Sequence, residues 1–146
     1  MNNKPKILLI DDEPDILHVV SLLLRTEGFH VETAETGEEA LKLLAQNTYA
    51  LVVSDYLMPI MNGIELLKQV RGKKDYTPFI FFSGNADDSH GLKMTGLGAY
   101  QLLPKTEVMT LASVIHNTLK VDADLKHINL SETTEQDEFL ELLHSA

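Results

Sequence analysis

The stretch that most narrows the choice of fold runs from Tyr49 to Gly63, YALVVSDYLMPIMNG. Ala50, Leu51, Val52 and Val53 form a nearly all-apolar run, rich in β-branched residues and too short for a helix, as a parallel strand buried on both faces requires. The run stops at Ser54 and Asp55. Open α/β sheets bind ligands in the crevice above the carboxyl ends of their strands, so a carboxylate at that place is the first candidate for chemistry. On its own Asp55 fits a loop cap equally well, since Asp is a frequent turn residue.

A second acidic cluster shifts that balance. Lys6-Ile7-Leu8-Leu9-Ile10 repeats the apolar run and stops at Asp11-Asp12-Glu13, before Pro14 opens a helix. If the two runs are neighbours in one parallel sheet, Asp11, Asp12 and Asp55 converge. Carboxylates crowded into one crevice raise each other's pKa and call for a counter-cation. A hard divalent ion with oxygen ligands, Mg²⁺, answers that need. Two further runs end in useful groups: residues 79 to 82 in Ser83-Gly84, and residues 100 to 103 in Pro104-Lys105. Acids that hold a metal, joined by a hydroxyl and an ammonium that donate to anionic oxygens, describe a phosphoryl-transfer site with Asp55 as nucleophile.

Between these runs lie helical patterns. Ile16, Val19, Val20, Leu23 and Leu24 recur at helical spacing over residues 15 to 27, with Gly28 as the stop. Residues 30 to 34 form strand two, and Thr36 caps a helix through Leu44 whose Ala40, Leu41 and Leu44 face the sheet. Ile64, Leu67 and Val70 line a third helix ending near Gly72. A fourth, over about residues 87 to 95, contains Gly91 and is expected to be short, because an interior glycine costs ~1 kcal/mol relative to alanine. The fifth, residues 106 to 119, turns Val108, Leu111, Ala112 and Ile115 inward. Five βα units of these lengths imply a parallel sheet with right-handed crossovers and helices on both faces.

The order of motifs, DD after strand one, DxxMPxxxG after strand three, S-G after strand four and K after strand five, resembles the receiver domain of two-component response regulators, the CheY-like family. The resemblance covers about residues 5 to 120. It implies a flavodoxin-like doubly wound (βα)5 fold with strand order 2-1-3-4-5. It also implies roles: Asp55 accepts a phosphoryl group from a histidine kinase or histidine phosphotransfer protein, Asp12 ligates Mg²⁺ directly, Asp11 acts through water, and the backbone carbonyl of Leu57 completes the protein's share of the metal shell. Ser83 and Lys105 would hold phosphoryl oxygens. A downstream protein target is expected at the face of helix four, strand five and helix five.

Two features depart from the family pattern: Pro104 precedes Lys105, where the family has proline after the lysine, and Leu102 replaces the aromatic that many receivers carry three residues before it. Leu57 lies two residues after the expected acceptor, where an apolar side chain is expected to shield the phosphoryl group from water. Leu57 also weighs against the rival reading, an Mg²⁺-dependent phosphohydrolase with an aspartyl intermediate, since that class needs an acid there. The other rival is a pseudo-receiver that serves only as an interaction module.

Composition sets outer bounds. The 146 residues, 44% of them hydrophobic, suffice for one domain with a real core. A net charge of −10 argues against nucleic-acid binding. The chain has no cysteine and no long apolar run, as suits a cytoplasmic protein that does not enter a membrane. The six histidines include no pair at metal-ligand spacing. The reading divides the chain into a receiver, residues 1 to 121, and an acidic extension, residues 122 to 146, without a DNA-binding output. In that extension Ser131 can cap a short helix bearing Phe139, Leu140, Leu142 and Leu143, expected to pack on the receiver or on a second copy in a homodimer.

Overall fold

The computed structural model describes residues 3–84 and 98–131. Five strands, β1 (Lys6–Ile10), β2 (His30–Ala34), β3 (Leu51–Ser54), β4 (Phe79–Ser83) and β5 (Ala99–Pro104), form one parallel sheet in the order β2-β1-β3-β4-β5. The helices are α1 (Pro14–Thr26), α2 (Gly37–Gln46), α3 (Gly63–Gly72) and a C-terminal helix (Leu111–Ser131), the last preceded by a 3₁₀ segment (Lys105–Thr110). The expected fourth helix lies outside the described residues. No helix among the described residues is long and apolar enough to cross a membrane.

Strand side chains alternate between two cores, as the two-residue period demands. Ile7, Leu9, Val53 and Ile80 meet α1 and the C-terminal helix on one face, while Leu8, Ile10, Val52 and Phe81 meet α2 and α3 on the other. Burying each such side chain contributes about 1.5–3 kcal/mol, and this two-sided burial is what fixes the register of the strand ends.

The helices follow local signals with instructive differences. Thr36 Oγ1 accepts a hydrogen bond from the Glu39 backbone N–H at 3.0 Å, the cap expected of it, and Asn62 does the same for α3 through Glu65 at 2.9 Å. In α1 the buried positions are Leu17, Val20, Ser21 and Leu24, and Val19 faces solvent. The helix carries apolar residues on most of its circumference, so periodicity alone does not choose its phase. The C-terminal helix does not stop near Leu119 but continues as far as Ser131, the last of the described residues, and the expected tail helix after Ser131 lies outside them. Nothing between Lys105 and Ser131 breaks it, since that stretch holds neither Gly nor Pro, and Lys126 pairs with Asp122 one turn earlier at 2.9 Å.

Candidate functional site

The crevice forms where β1, β3, β4 and β5 end at the same edge. Asp55 leaves β3 with its backbone N–H donating to the Ile10 carbonyl at 2.8 Å, and Asp11 leaves β1 with its N–H donating to the Ala34 carbonyl at 3.1 Å. The ladder thus carries one residue past each strand and sets the two acids side by side. Asp11 and Asp55 are both buried, at 2% and 6% exposure, whereas Asp12 is exposed. Carboxylate oxygens of Asp11, Asp12 and Asp55 lie within 4.8 Å of one another.

Lys105 reaches into this cluster from the end of β5. Its Nζ lies 2.7 Å from Asp11 Oδ2 and 3.3 Å from Asp55 Oδ2. Pro104 does not disturb that reach: it has φ −69° and ψ 143°, extends the edge strand and pairs in register with Ser83. Ser83 is buried at the end of β4. The sequence-predicted Asp11, Asp12, Asp55 and Lys105 therefore come together, with Ser83 on the adjoining strand end. Leu102 packs partly buried against the α2–α3 core.

The electrostatics follow from burial and crowding. Desolvation and then the charge of Asp11 push the Asp55 carboxyl up to about 6, against the opposing pull of Lys105 and a hydrogen bond from the backbone of Leu57. For Lys105, burial works against the ammonium, but the hydrogen bond to Asp11 and the charges of Asp55 and Asp11 outweigh it and raise its pKa. An all-oxygen set of three carboxylates, with a buried acid whose ionisation is resisted, fits a divalent cation of the hard class.

Two structural supports were not evident from sequence pattern alone. The Asp11 carboxylate accepts a hydrogen bond from the Glu13 backbone N–H at 2.9 Å, which orients it at the start of α1. Gly63 lets α3 come close to Asp55: a Cβ there would sit 2.6 Å from the Asp55 carbonyl oxygen and 2.6 Å from the Phe81 ring. The spacing of eight residues from Asp55 to Gly63 was the available signal, because it returns the chain to the strand end it has just left. Leu57 turns its side chain to solvent, while Met58 packs into the α2–α3 core.

Comparison with known proteins agrees with this geometry. The sequence model of the response regulator receiver domain matches residues 7–118. The transcriptional regulatory protein CpxR homolog of Haemophilus influenzae is 42% identical over 100 residues, which cover 68% of this chain and 43% of that protein. The cell cycle transcriptional regulator CtrA of Caulobacter vibrioides is 33% identical over the same shares. The chain thus spans less than half the length of these curated relatives. Among solved structures, the receiver domain of Francisella response regulator 1452 superposes with a TM-score of 0.76 at 28% identity, covering 82% of this chain and 99% of that one. The response regulator TrrA of Thermotoga maritima, in complex with Mg(2+)-BeF, superposes at 0.62 with 32% identity, covering 68% of this chain and 85% of that one. Sheet order, strand-end acids and sequence agree, and the chain belongs to the response regulator receiver domain family of two-component signalling.

Proposed function

We propose that the chain is a phosphoacceptor switch in which Asp55 takes a phosphoryl group from the phosphohistidine of a histidine kinase or histidine phosphotransfer protein. The observation that carries this is the Lys105 ammonium held between Asp11 and Asp55, at 2.7 and 3.3 Å. A carboxylate nucleophile and a cation for the oxygens of the incoming group then stand together at one strand edge. Asp12, Asp55 and the Leu57 carbonyl would hold Mg²⁺, with Asp11 acting through water. Bound Mg²⁺ supplies the positive charge that relieves the crowded acids and neutralises phosphoryl oxygens.

In the transfer, an Asp55 carboxylate oxygen attacks phosphorus, the P–N bond to the donor histidine breaks, and its electron pair stays on the imidazole nitrogen. Lys105 and Ser83 donate to phosphoryl oxygens as that group arrives. Loss of the group is attack by water on phosphorus, which returns the Asp55 carboxylate and inorganic phosphate. The phosphohydrolase reading has no acid at position 57 to support turnover. Output would fall on a protein target that reads β5, the C-terminal helix and the segment between β4 and β5.

Beryllofluoride, which stands in for the phosphoryl group, tests this reading without a kinase. Together with Mg²⁺ it should raise the melting temperature, as any ligand selective for the folded state does. The increment should be absent with fluoride alone and absent in Asp55→Asn. No shift in the wild-type chain would leave it a pseudo-receiver and overturn the proposal.

A further inference from the structure

The two edges of the sheet are not alike. At one edge, β5 ends in Pro104 and shifts register against β4 between Phe79 and Ile80, two features that discourage a further strand from pairing there. At the other, β2 runs His30–Ala34 without Pro or Gly, in unbroken parallel register with β1, and has no second neighbour among the described residues. The His30 N–H donates to the Pro5 carbonyl at 2.9 Å and the Ala34 carbonyl accepts from the Asp11 N–H at 3.1 Å, so these two residues turn their peptide groups inward. By the two-residue period, Val31 and Thr33 turn theirs outward. Arg25 Nη2 donates to the Val31 carbonyl at 3.2 Å, while the N–H and carbonyl of Thr33 have no ladder partner among the described residues.

We propose that this edge pairs antiparallel with β2 of a second copy of the chain, about a two-fold axis at Thr33, so that two five-stranded sheets join into one. Charge selects the occupant and its direction. A cleft at the start of β2 is lined by Lys4, Lys6, Arg25 and His30, and its one acid, Glu32, is already engaged by Lys6 at 3.1 Å and by the Tyr49 hydroxyl at 2.6 Å. A second cleft at the end of β2 is lined by Glu35 and Glu39 together with His18, Thr33 and Arg25. The strand therefore has a basic start and an acidic end, and an antiparallel copy sets each end against its opposite.

The register follows from the same groups. With Thr33 opposite Thr33, the two residues exchange a pair of N–H···O=C bonds and their side chains form a favourable cross-strand pair. Val31 then lies opposite Glu35 of the other copy, and the Arg25 guanidinium held at the Val31 carbonyl meets that carboxylate, once in each half of the symmetric pair. An axis at Glu32 would instead oppose two like charges. On α1, His18, Leu22 and Arg25 stand at i, i+4 and i+7 on the side toward this edge. Leu22 keeps 51% of its surface exposed, so each copy also brings an apolar side chain to the seam. One short strand and one flanking helix make a small interface, below about 1,200 Å² in total, the size of a transient complex. Pairing through β2 leaves β5 and Lys105 untouched at the opposite edge, and it does not depend on the chemistry at Asp55.

Sedimentation velocity of the full chain from about 10 μM to about 1 mM should show a dimer that grows with concentration. Arg25→Glu opposes two carboxylates across the seam and Glu35→Arg opposes two cations, so each variant alone should dimerise at least about tenfold more weakly. Mixed in equal amounts, the two variants should form a heterodimer within about threefold of the wild-type affinity, because both contacts then join opposite charges. That rescue cannot arise within one chain. Thr33→Pro, which an edge strand tolerates, should stay folded by circular dichroism and lose the dimer. A wild-type chain still monomeric at about 1 mM, which leaves the edge to a foreign strand or to solvent, would overturn the proposal. So would a dimer unchanged in Thr33→Pro, or a mixture of the charge variants no more associated than its components.

Discussion

Asp55 has only 6% of its surface exposed and a second buried acid beside it, and its pKa stands at about 6, well above the ordinary carboxylate value. The folded state therefore binds a proton that the unfolded chain has released, between about pH 4 and pH 6. The sign is that of a raised pKa: the contribution to stability is complete below about pH 4 and is lost as pH rises through 6. Removing the charge should reverse the penalty. In EDTA at pH 7, urea denaturation should find Asp55→Asn more stable than wild type by up to ~3 kcal/mol, with the gap closing toward pH 4. A gap that widened on acidification would contradict the account. Strain of another kind sits five residues on. Ile60 has φ +71°, the Met61 N–H closes on the Pro59 carbonyl at 2.7 Å, and the side chain is fully exposed. A β-branched residue at the tip of such a γ-turn is strained, so Ile60→Asn should raise stability by about 1 kcal/mol, read as a higher urea midpoint at constant m.

Among the elements, the loop from β3 to α3 is held by contact and not by its own propensity. The Gly63 N–H donates to the Tyr56 carbonyl at 2.9 Å while its α-carbon leaves no space beside the Asp55 carbonyl. Gly63→Ala should cost ~2 kcal/mol or more, since backbone must shift to relieve a 2.6 Å approach. Thermal or urea unfolding checks this, and a neutral effect would show that α3 can slide. The sequence made β1, β3 and β4 legible because each carries an apolar run of about four residues that ends at a polar group, and Thr36 announced α2 by its capping chemistry. It did not show which face of α1 is buried, because Ile16, Leu17, Val19, Val20 and Leu22 to Leu24 satisfy more than one phase. Nor did it show how far the last helix runs. Asp122 and Asp124 interrupt the apolar period there, yet neither residue breaks a helix.

At the scale of the whole molecule, the site is the product of register. Asp55 and Lys105 are fifty residues apart in sequence and 3.3 Å apart in space, brought together because two cores clamp one sheet and align its strand ends. Motif spacing made Asp11, Asp12, Asp55, Ser83 and Lys105 candidates. What spacing could not supply was the pairing of Lys105 with Asp11, which depends on the crossing of β5 over a register shift against β4 between Phe79 and Ile80. The central claim, that this edge transfers a phosphoryl group to Asp55, is tested most directly by mass spectrometry after incubation with acetyl phosphate and MgCl₂. The account predicts a gain of about 80 Da, one phosphoryl group, mapped to the peptide containing Asp55 and absent without Mg²⁺ or in Asp55→Asn. Labelling that persists in Asp55→Asn, or wild-type protein that never gains the mass, would contradict it.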